Sequence, residues 1–152
     1  MTESERELAK ATHDVEVHDQ HRTVYIGSQT MLWALLAIGY GLMTLWLGQD
    51  AWSFEGYEGT YTTALEVPGS PESWGAAFLI LGTSTLWAFH RSMSRLLAVS
   101  LTLLSILFGM FSSSFVVDAL AYDAPESWPS VLIYGLIAVA ILIRARLAWV
   151  TR

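Results

Sequence analysis

The charged and apolar residues of this chain lie in long, separate blocks. Four runs contain no Asp, Glu, Lys or Arg; they measure 27, 17, 22 and 17 residues and cover 23–49, 73–89, 96–117 and 127–143. A helix rises about 1.5 Å per residue, so about 20 residues, and at least about 17, cross a hydrocarbon core of roughly 30 Å. The runs are apolar on all sides and do not alternate, which argues against membrane-spanning strands. The pattern predicts an all-α, integral membrane four-helix bundle.

The polar residues divide the chain into an N-terminal arm, residues 1–22, and a four-span domain, residues 23–152. The arm lacks the short basic lead of a cleaved signal peptide, so we expect the first span to stay as an anchor. Ser4 followed by Glu7 fits a capping box and predicts a short helix before the membrane. The predicted spans are about 27–48, 73–90, 96–117 and 128–147, with outer loops 49–72 and 118–127.

The charges sort by sign on the two sides of these spans. All eight basic residues lie on the side of the termini and of the loop between the second and third spans. Eight acidic residues and no basic one lie in the two outer loops. The positive-inside rule therefore predicts that both termini are cytoplasmic.

Composition narrows the chemistry. Only 14% of the residues are charged and 53% are apolar, which favours a membrane protein over a soluble domain. The chain has no cysteine, which excludes disulfides, thiolate metal sites and cysteine nucleophiles. The spans carry no ionisable pair and no catalytic constellation, so we expect neither an enzyme nor a cofactor. In the arm, His13, His18 and His21 occur with two Asp residues; we interpret them as a solvated helix face and predict no metal site.

Small residues spaced by four mark places where helices in lipid approach closely. Such residues occur in the first and third spans; they are Ala37, Gly41, Ala98, Thr102, Ser105, Gly109 and Ser113. Packing within the bundle is the preferred interpretation, and homo-oligomerisation through the third span is the alternative. Under either interpretation we expect Gly109→Leu to disturb packing, because a bulky side chain separates helices that approach at a small residue.

Aromatic and basic residues mark the predicted membrane boundaries. The expected interface anchors are Trp46, Trp52, Trp74, Trp128 and Trp149. The expected cytoplasmic basic collar, suited to anionic lipid headgroups, consists of Arg91, Arg95, Arg144 and Arg146. A net charge of −6 and the absence of a basic groove argue against nucleic acid as a partner.

The two outer loops end in the same four letters. Pro71-Glu72-Ser73-Trp74 and Pro125-Glu126-Ser127-Trp128 are 54 residues apart. Duplication of a helical hairpin explains the match, and so does convergence, because Pro and Glu suit a first helical turn and Trp suits the interface.

The stretch TYTTALEVPGSPESWGAAFLILG, followed by a short basic turn and another span, resembles small four-span membrane proteins of actinobacterial phages. Some of these proteins are called holin-like. The resemblance covers most of the chain from Tyr25 onward, rests on loop composition and span order, and transfers no functional residue. It implies assembly in the host cytoplasmic membrane and a timed lesion or loss of membrane potential.

Three functions fit these observations. The first is a holin-like or lysis-accessory protein that oligomerises in the membrane. The second is a non-enzymatic anchor or interaction protein that presents its aromatic, acidic outer loop or its N-terminal arm to a protein partner. The third is a small-solute carrier or a redox-accessory four-span bundle, which requires a cavity lined by Thr83, Thr85, Ser112, Ser113 and Ser114.

Overall fold

The computed structural model describes residues 3–51, 62–121, 123 and 125–150. Within these residues the chain is all helical and has no strand. The elements are α1 (Glu3–Leu47), a 3₁₀ turn (Gly48–Ala51), α2 (Thr62–Leu65), α3 (Glu72–His90), α4 (Ser94–Ala121), a second 3₁₀ turn (Pro125–Ser127) and α5 (Trp128–Val150).

The first helix is longer than expected. The sequence predicts a separate short helix in the arm, whereas α1 runs without a break from Glu3 to Leu47. No Pro or Gly interrupts residues 3–26, which explains the continuity. The arm is therefore a helical extension of the first apolar segment.

Three helical segments are long and apolar enough to cross a membrane: Val24–Leu47, Ser94–Ala121 and Pro125–Val150. The fourth long helix, α3, has 19 residues. Its uncharged stretch, between Glu72 and His90, is 17 residues long.

The long helices run alternately up and down. Residues near both ends of α1 meet α3 in reverse order, since Gly27 faces Phe89 and Gly41 faces Gly75. Along α4 and α5, Ser105 Oγ donates to the Ala138 carbonyl (2.7 Å) and Ser112 Oγ donates to the Val131 carbonyl (2.9 Å). These contacts confirm the predicted pairing of the first with the second apolar segment and of the third with the fourth.

Glycines bring α1 and α3 into backbone contact. A Cβ atom added at Gly41 would lie 2.7 Å from the Gly75 carbonyl oxygen, and one added at Gly82 would lie 3.0 Å from the Ala34 carbonyl oxygen. Only glycine permits such an approach, which maximises van der Waals contact where lipid supplies no hydrophobic driving force.

The antiparallel arrangement gives the bundle an acidic end and a basic end. The acidic end holds the end of α1 at Leu47, the start of α3 at Glu72, the end of α4 at Ala121 and the start of α5 at Trp128. The basic end holds the 91–93 turn between α3 and α4 and the end of α5 at Val150.

Aromatic rings fill the interior of the bundle. Phe111 of α4 contacts Tyr40 of α1, Trp74 and Phe78 of α3, and Tyr134 of α5, with ring centroids 5.0–6.3 Å apart. Phe108 and Phe115 continue the same column along α4. Edge-on ring pairs add to the energy of burial, so one aromatic core joins all four long helices.

Apolar side chains also cover the outside of the bundle. Leu42 of α1, Ile80 of α3, Met110 of α4 and Leu136 of α5 are all exposed. An apolar exterior around an apolar core is typical of a protein whose solvent is lipid.

Candidate functional site

A short outer segment is fixed against the acidic end of α4. Asp118 is fully buried, and its Oδ1 atom accepts hydrogen bonds from the Thr63 backbone N–H (3.0 Å) and from Thr63 Oγ1 (2.6 Å). Trp74 Nε1 donates to the Ala64 carbonyl oxygen at 2.9 Å. These three hydrogen bonds hold α2 across the bundle, next to the first turn of α3.

A groove of about 540 Å³ lies between this outer segment and α4. Its wall and floor come from both elements and from the start of α3; they are Thr63, Ala64, Val67, Trp74, Gly109, Met110, Ser113, Ser114 and Val117. Gly109 leaves the floor open, because a Cβ atom added there would meet nothing within 4 Å.

The polar side chains in the groove are already hydrogen-bonded inside the protein. Ser113 Oγ donates to the Gly109 carbonyl (2.9 Å) and Ser114 Oγ to the Phe111 carbonyl (2.7 Å). Thr63 is bonded to Asp118. The groove therefore suits apolar contact, and its residues form no nucleophile with a neighbouring base.

The predicted packing residues fall into two groups. Ala37 and Ala98 are fully buried, Gly41 contacts α3 and Ser105 bonds to α5, as the packing interpretation requires. Thr102 is half-buried and donates to the Ala98 carbonyl (2.8 Å) in its own helix.

Gly109 and Ser113 depart from that interpretation. Neither packs against another long helix of the bundle, since the space beside Gly109 is open and Ser113 is exposed. The described structure of one copy gives no steric reason for Gly109→Leu to disturb the bundle, and the effect of this substitution on packing stays a prediction. The two residues lie on the outward side of α4, where contact with another molecule is sterically open.

The predicted interface tryptophans differ in their exposure. Trp46 is 88% exposed, and Trp128 and Trp149 are each slightly less than half exposed, which is compatible with the headgroup region. Trp74 is only 5% exposed and packs on Phe111, so its placement as an anchor facing lipid headgroups is wrong. Trp52 lies outside the described residues, as do the side chains of the three arm histidines.

The two Pro-Glu-Ser-Trp segments therefore lie in different environments. In the first segment α2 covers Trp74, whereas Trp128 begins α5 with nearly half its surface open. Ser73 and Ser127 do correspond, because each has a buried Oγ atom without a hydrogen-bond partner in the described structure. The helix starts and the tryptophan contacts differ, because α3 begins at Glu72 whereas Pro125–Ser127 form a 3₁₀ turn before α5 begins at Trp128.

The predicted basic collar loses one member. Arg91, Arg95 and Arg146 are exposed. Arg144 is buried, with 4% of its surface exposed, and its Nε donates to Thr30 Oγ1 at 2.8 Å. The helix turns by about 100° per residue, so positions 144 and 146 lie on nearly opposite faces of α5.

The five hydroxyls required by a carrier do not meet in one cavity. Ser112 bonds to α5, whereas Thr83 and Thr85 donate to the Leu79 and Leu81 carbonyls of their own helix. Aromatic rings occupy the space between the helices. Within the described residues, no group of three or more His, Asp or Glu side chains is arranged to hold a metal ion.

Sequence reasoning missed the contact residues Gly75 and Gly82, and it interpreted Asp118 as a boundary residue. The seven-residue spacing of Gly75 and Gly82 is the sequence signal that could have revealed these two contact residues.

Comparison with protein-family models, curated proteins and solved structures finds no match for this chain.

Proposed function

We propose that all four long helices span the cytoplasmic membrane of a bacterium or phage host, with the basic end and both termini in the cytoplasm. The antiparallel packing of α3 between α1 and α4 supports a fourth span, because its neighbours are apolar enough to cross. The hydroxyls of Thr83 and Thr85 are hydrogen-bonded within α3, which lowers the cost of placing them in lipid. The charge distribution supports the orientation.

We propose that the protein is holin-like or lysis-accessory and acts, without enzymatic chemistry, by self-association in that membrane. The observation that carries this proposal is the open groove at Gly109 and Ser113 on the outward face of α4. Small residues in an unfilled position let a helix of a second copy approach closely. The aromatic core leaves no route through the described part of one copy, so the proposed lesion would form between copies.

Membrane potential and dye leakage after induced expression in bacteria test this function. The holin-like proposal predicts abrupt depolarisation, and an inert four-span protein expressed to the same level controls for membrane stress. Gly109→Leu fills the groove and should delay depolarisation several-fold. Gly39→Leu is the matched control, because Gly39 is exposed on α1 and also has no neighbour within 4 Å of an added Cβ. Sustained potential with normal growth at high expression would contradict the proposal.

A second candidate is an anchor or interaction protein, and the continuous α1 supports it. The helix extends about 20 residues beyond the apolar segment, or roughly 30 Å, which places the arm at a distance from the membrane surface. Such an extension suits binding of a protein partner, as does the aromatic outer loop. Affinity capture with the full chain and with a variant lacking residues 1–22 tests this candidate. It predicts a specific partner that depends on the arm while the membrane potential stays intact.

A further inference from the structure

Arg144 occupies an unusual place for a charged residue. It lies in an apolar helix long enough to cross a membrane, six residues before the end of α5, and is nearly completely buried. Arginine within membrane helices is rare and is normally paired with an acidic or carbonyl group. Its Nε atom instead bonds to a neutral hydroxyl, Thr30 Oγ1, which itself donates to the Ile26 carbonyl (2.9 Å).

No acidic side chain of the described structure can neutralise Arg144. The Asp and Glu residues whose side chains are described all lie at the acidic end, opposite Arg144; they are Asp50, Glu66, Glu72, Asp118, Asp123 and Glu126. The other charged side chains described at the basic end are exposed arginines, Arg91, Arg95 and Arg146. Among the described side chains, the charges at this end of the bundle are therefore all positive, which favours binding of an anion.

The guanidinium group of Arg144 also has N–H donors without an acceptor in the described structure. It carries five N–H groups, of which the Nε–H is used by Thr30. No described residue accepts a hydrogen bond from Nη1 or Nη2, and neither atom is among the buried polar atoms that lack a partner. Each Nη atom therefore keeps a small accessible area beside the contact between α1 and α5, although Arg144 as a whole is only 4% exposed. Two parallel N–H groups of this kind match two oxygens of a phosphate.

The depth of Arg144 favours a lipid as the source of that phosphate. Six residues of helix separate it from Val150, about 9 Å of rise, which an arginine side chain and a headgroup can together bridge. Ile143 and Leu147 flank it on α5 with exposed apolar side chains that can contact acyl chains. We propose that Arg144, held by Thr30, binds the phosphate of an anionic phospholipid between α1 and α5 at the basic end of the bundle.

Native mass spectrometry of the full chain in detergent tests this site. The probes are phosphatidylglycerol, diacylglycerol, which has no phosphate, and inorganic phosphate. Wild-type protein should retain phosphatidylglycerol in preference to diacylglycerol, and millimolar inorganic phosphate should not displace it. Displacement of phosphatidylglycerol by inorganic phosphate would contradict a lipid as the source of the phosphate. Equal retention of phosphatidylglycerol and diacylglycerol would contradict a phosphate site at Arg144.

Variants assign the binding to Arg144. Arg144→Gln should weaken phosphatidylglycerol binding at least tenfold, while Arg146→Gln, which removes an exposed charge two positions along the same helix, should change it less than twofold. Arg144→Lys keeps the charge and the aliphatic stem but loses the planar fork, so it should fold and bind severalfold more weakly. Unchanged binding by Arg144→Lys and Arg144→Gln, or an equal loss in Arg146→Gln, would overturn the proposal. If only Arg144→Gln fails to fold, the comparison of phosphatidylglycerol binding by Arg144→Lys and by Arg146→Gln tests the proposal.

Discussion

Gly41 and Gly75 touch backbone to backbone where α1 crosses α3. Because an added Cβ at Gly41 would lie 2.7 Å from the Gly75 carbonyl oxygen, even alanine must push the helices apart. We expect Gly41→Ala to lower the free energy of unfolding by about 1–3 kcal/mol, as overpacking does. Denaturant unfolding in detergent, followed by tryptophan fluorescence, measures this change.

Gly39 supplies the control for that substitution. It lies two residues earlier in the same helix, and an added Cβ there meets nothing. Gly39→Ala should leave stability unchanged or raise it by up to about 1 kcal/mol, because alanine is the better helix former. Equal destabilisation by both variants would show that the glycine contact does not determine the packing of α1 on α3.

Phe111 and Met110 are neighbours in sequence with opposite surroundings. Phe111 is fully buried among four rings of three other helices, and Met110 is exposed. Phe111→Ala should cost about 3–5 kcal/mol of unfolding free energy through the cavity it leaves. Met110→Ala should stay within about 0.5 kcal/mol of wild type. The same detergent unfolding assay measures both, and similar losses would argue against the aromatic core.

The hydroxyl of Thr63 is expected to hold α2 on α4. Thr63→Val removes the Oγ1 donor to Asp118, and Thr63→Ser retains it. The valine variant should lose about 1 kcal/mol of local stability, the usual net value of one hydrogen bond. Hydrogen exchange at the amides of 63–66 reports this opening. Identical exchange in the two variants would mean that the side-chain bond does not hold the segment.

The two tryptophans of the repeated four letters should respond differently to substitution. Trp74→Phe keeps an aromatic ring on Phe111 but loses the N–H donor to the Ala64 carbonyl, so we expect a loss of about 1 kcal/mol. Trp128→Phe should change unfolding free energy by less than about 0.5 kcal/mol, because that side chain is exposed. An equal loss at both positions would indicate that the two segments play the same structural role.

Charge and hydropathy were sufficient to predict the helices. Uncharged runs cover the apolar part of α1 and most of α3, α4 and α5, and short connections predicted which helices pair. These features are local, since a helix in lipid must satisfy its own backbone over a length set by the bilayer. The same patterns did not show that the arm continues α1 without a break.

The environments of single residues were harder to predict. Trp74 and Trp128 follow identical letters, and only the position of α2 makes one buried and the other exposed. Arg144 resembles its neighbour Arg146 in sequence, but its partner Thr30 is 114 positions away. Gly109 fits the small-residue pattern as well as Gly41 does. A neighbouring helix packs against Gly41 and leaves the space beside Gly109 open, and the register of the opposing helix determines this difference. These distinctions depend on long-range packing.

Cross-linking between copies tests the proposed self-association through α4 most directly, because the chain has no cysteine of its own. Single variants Ser113→Cys, in the groove, and Gly39→Cys, exposed on α1, would be treated in native membranes with a short bifunctional maleimide at equal expression. We predict covalent dimers for Ser113→Cys, abolished when Gly109→Leu is added, and monomers for Gly39→Cys. Monomers for Ser113→Cys, or equal dimer yield from both positions, would contradict contact between copies at this groove.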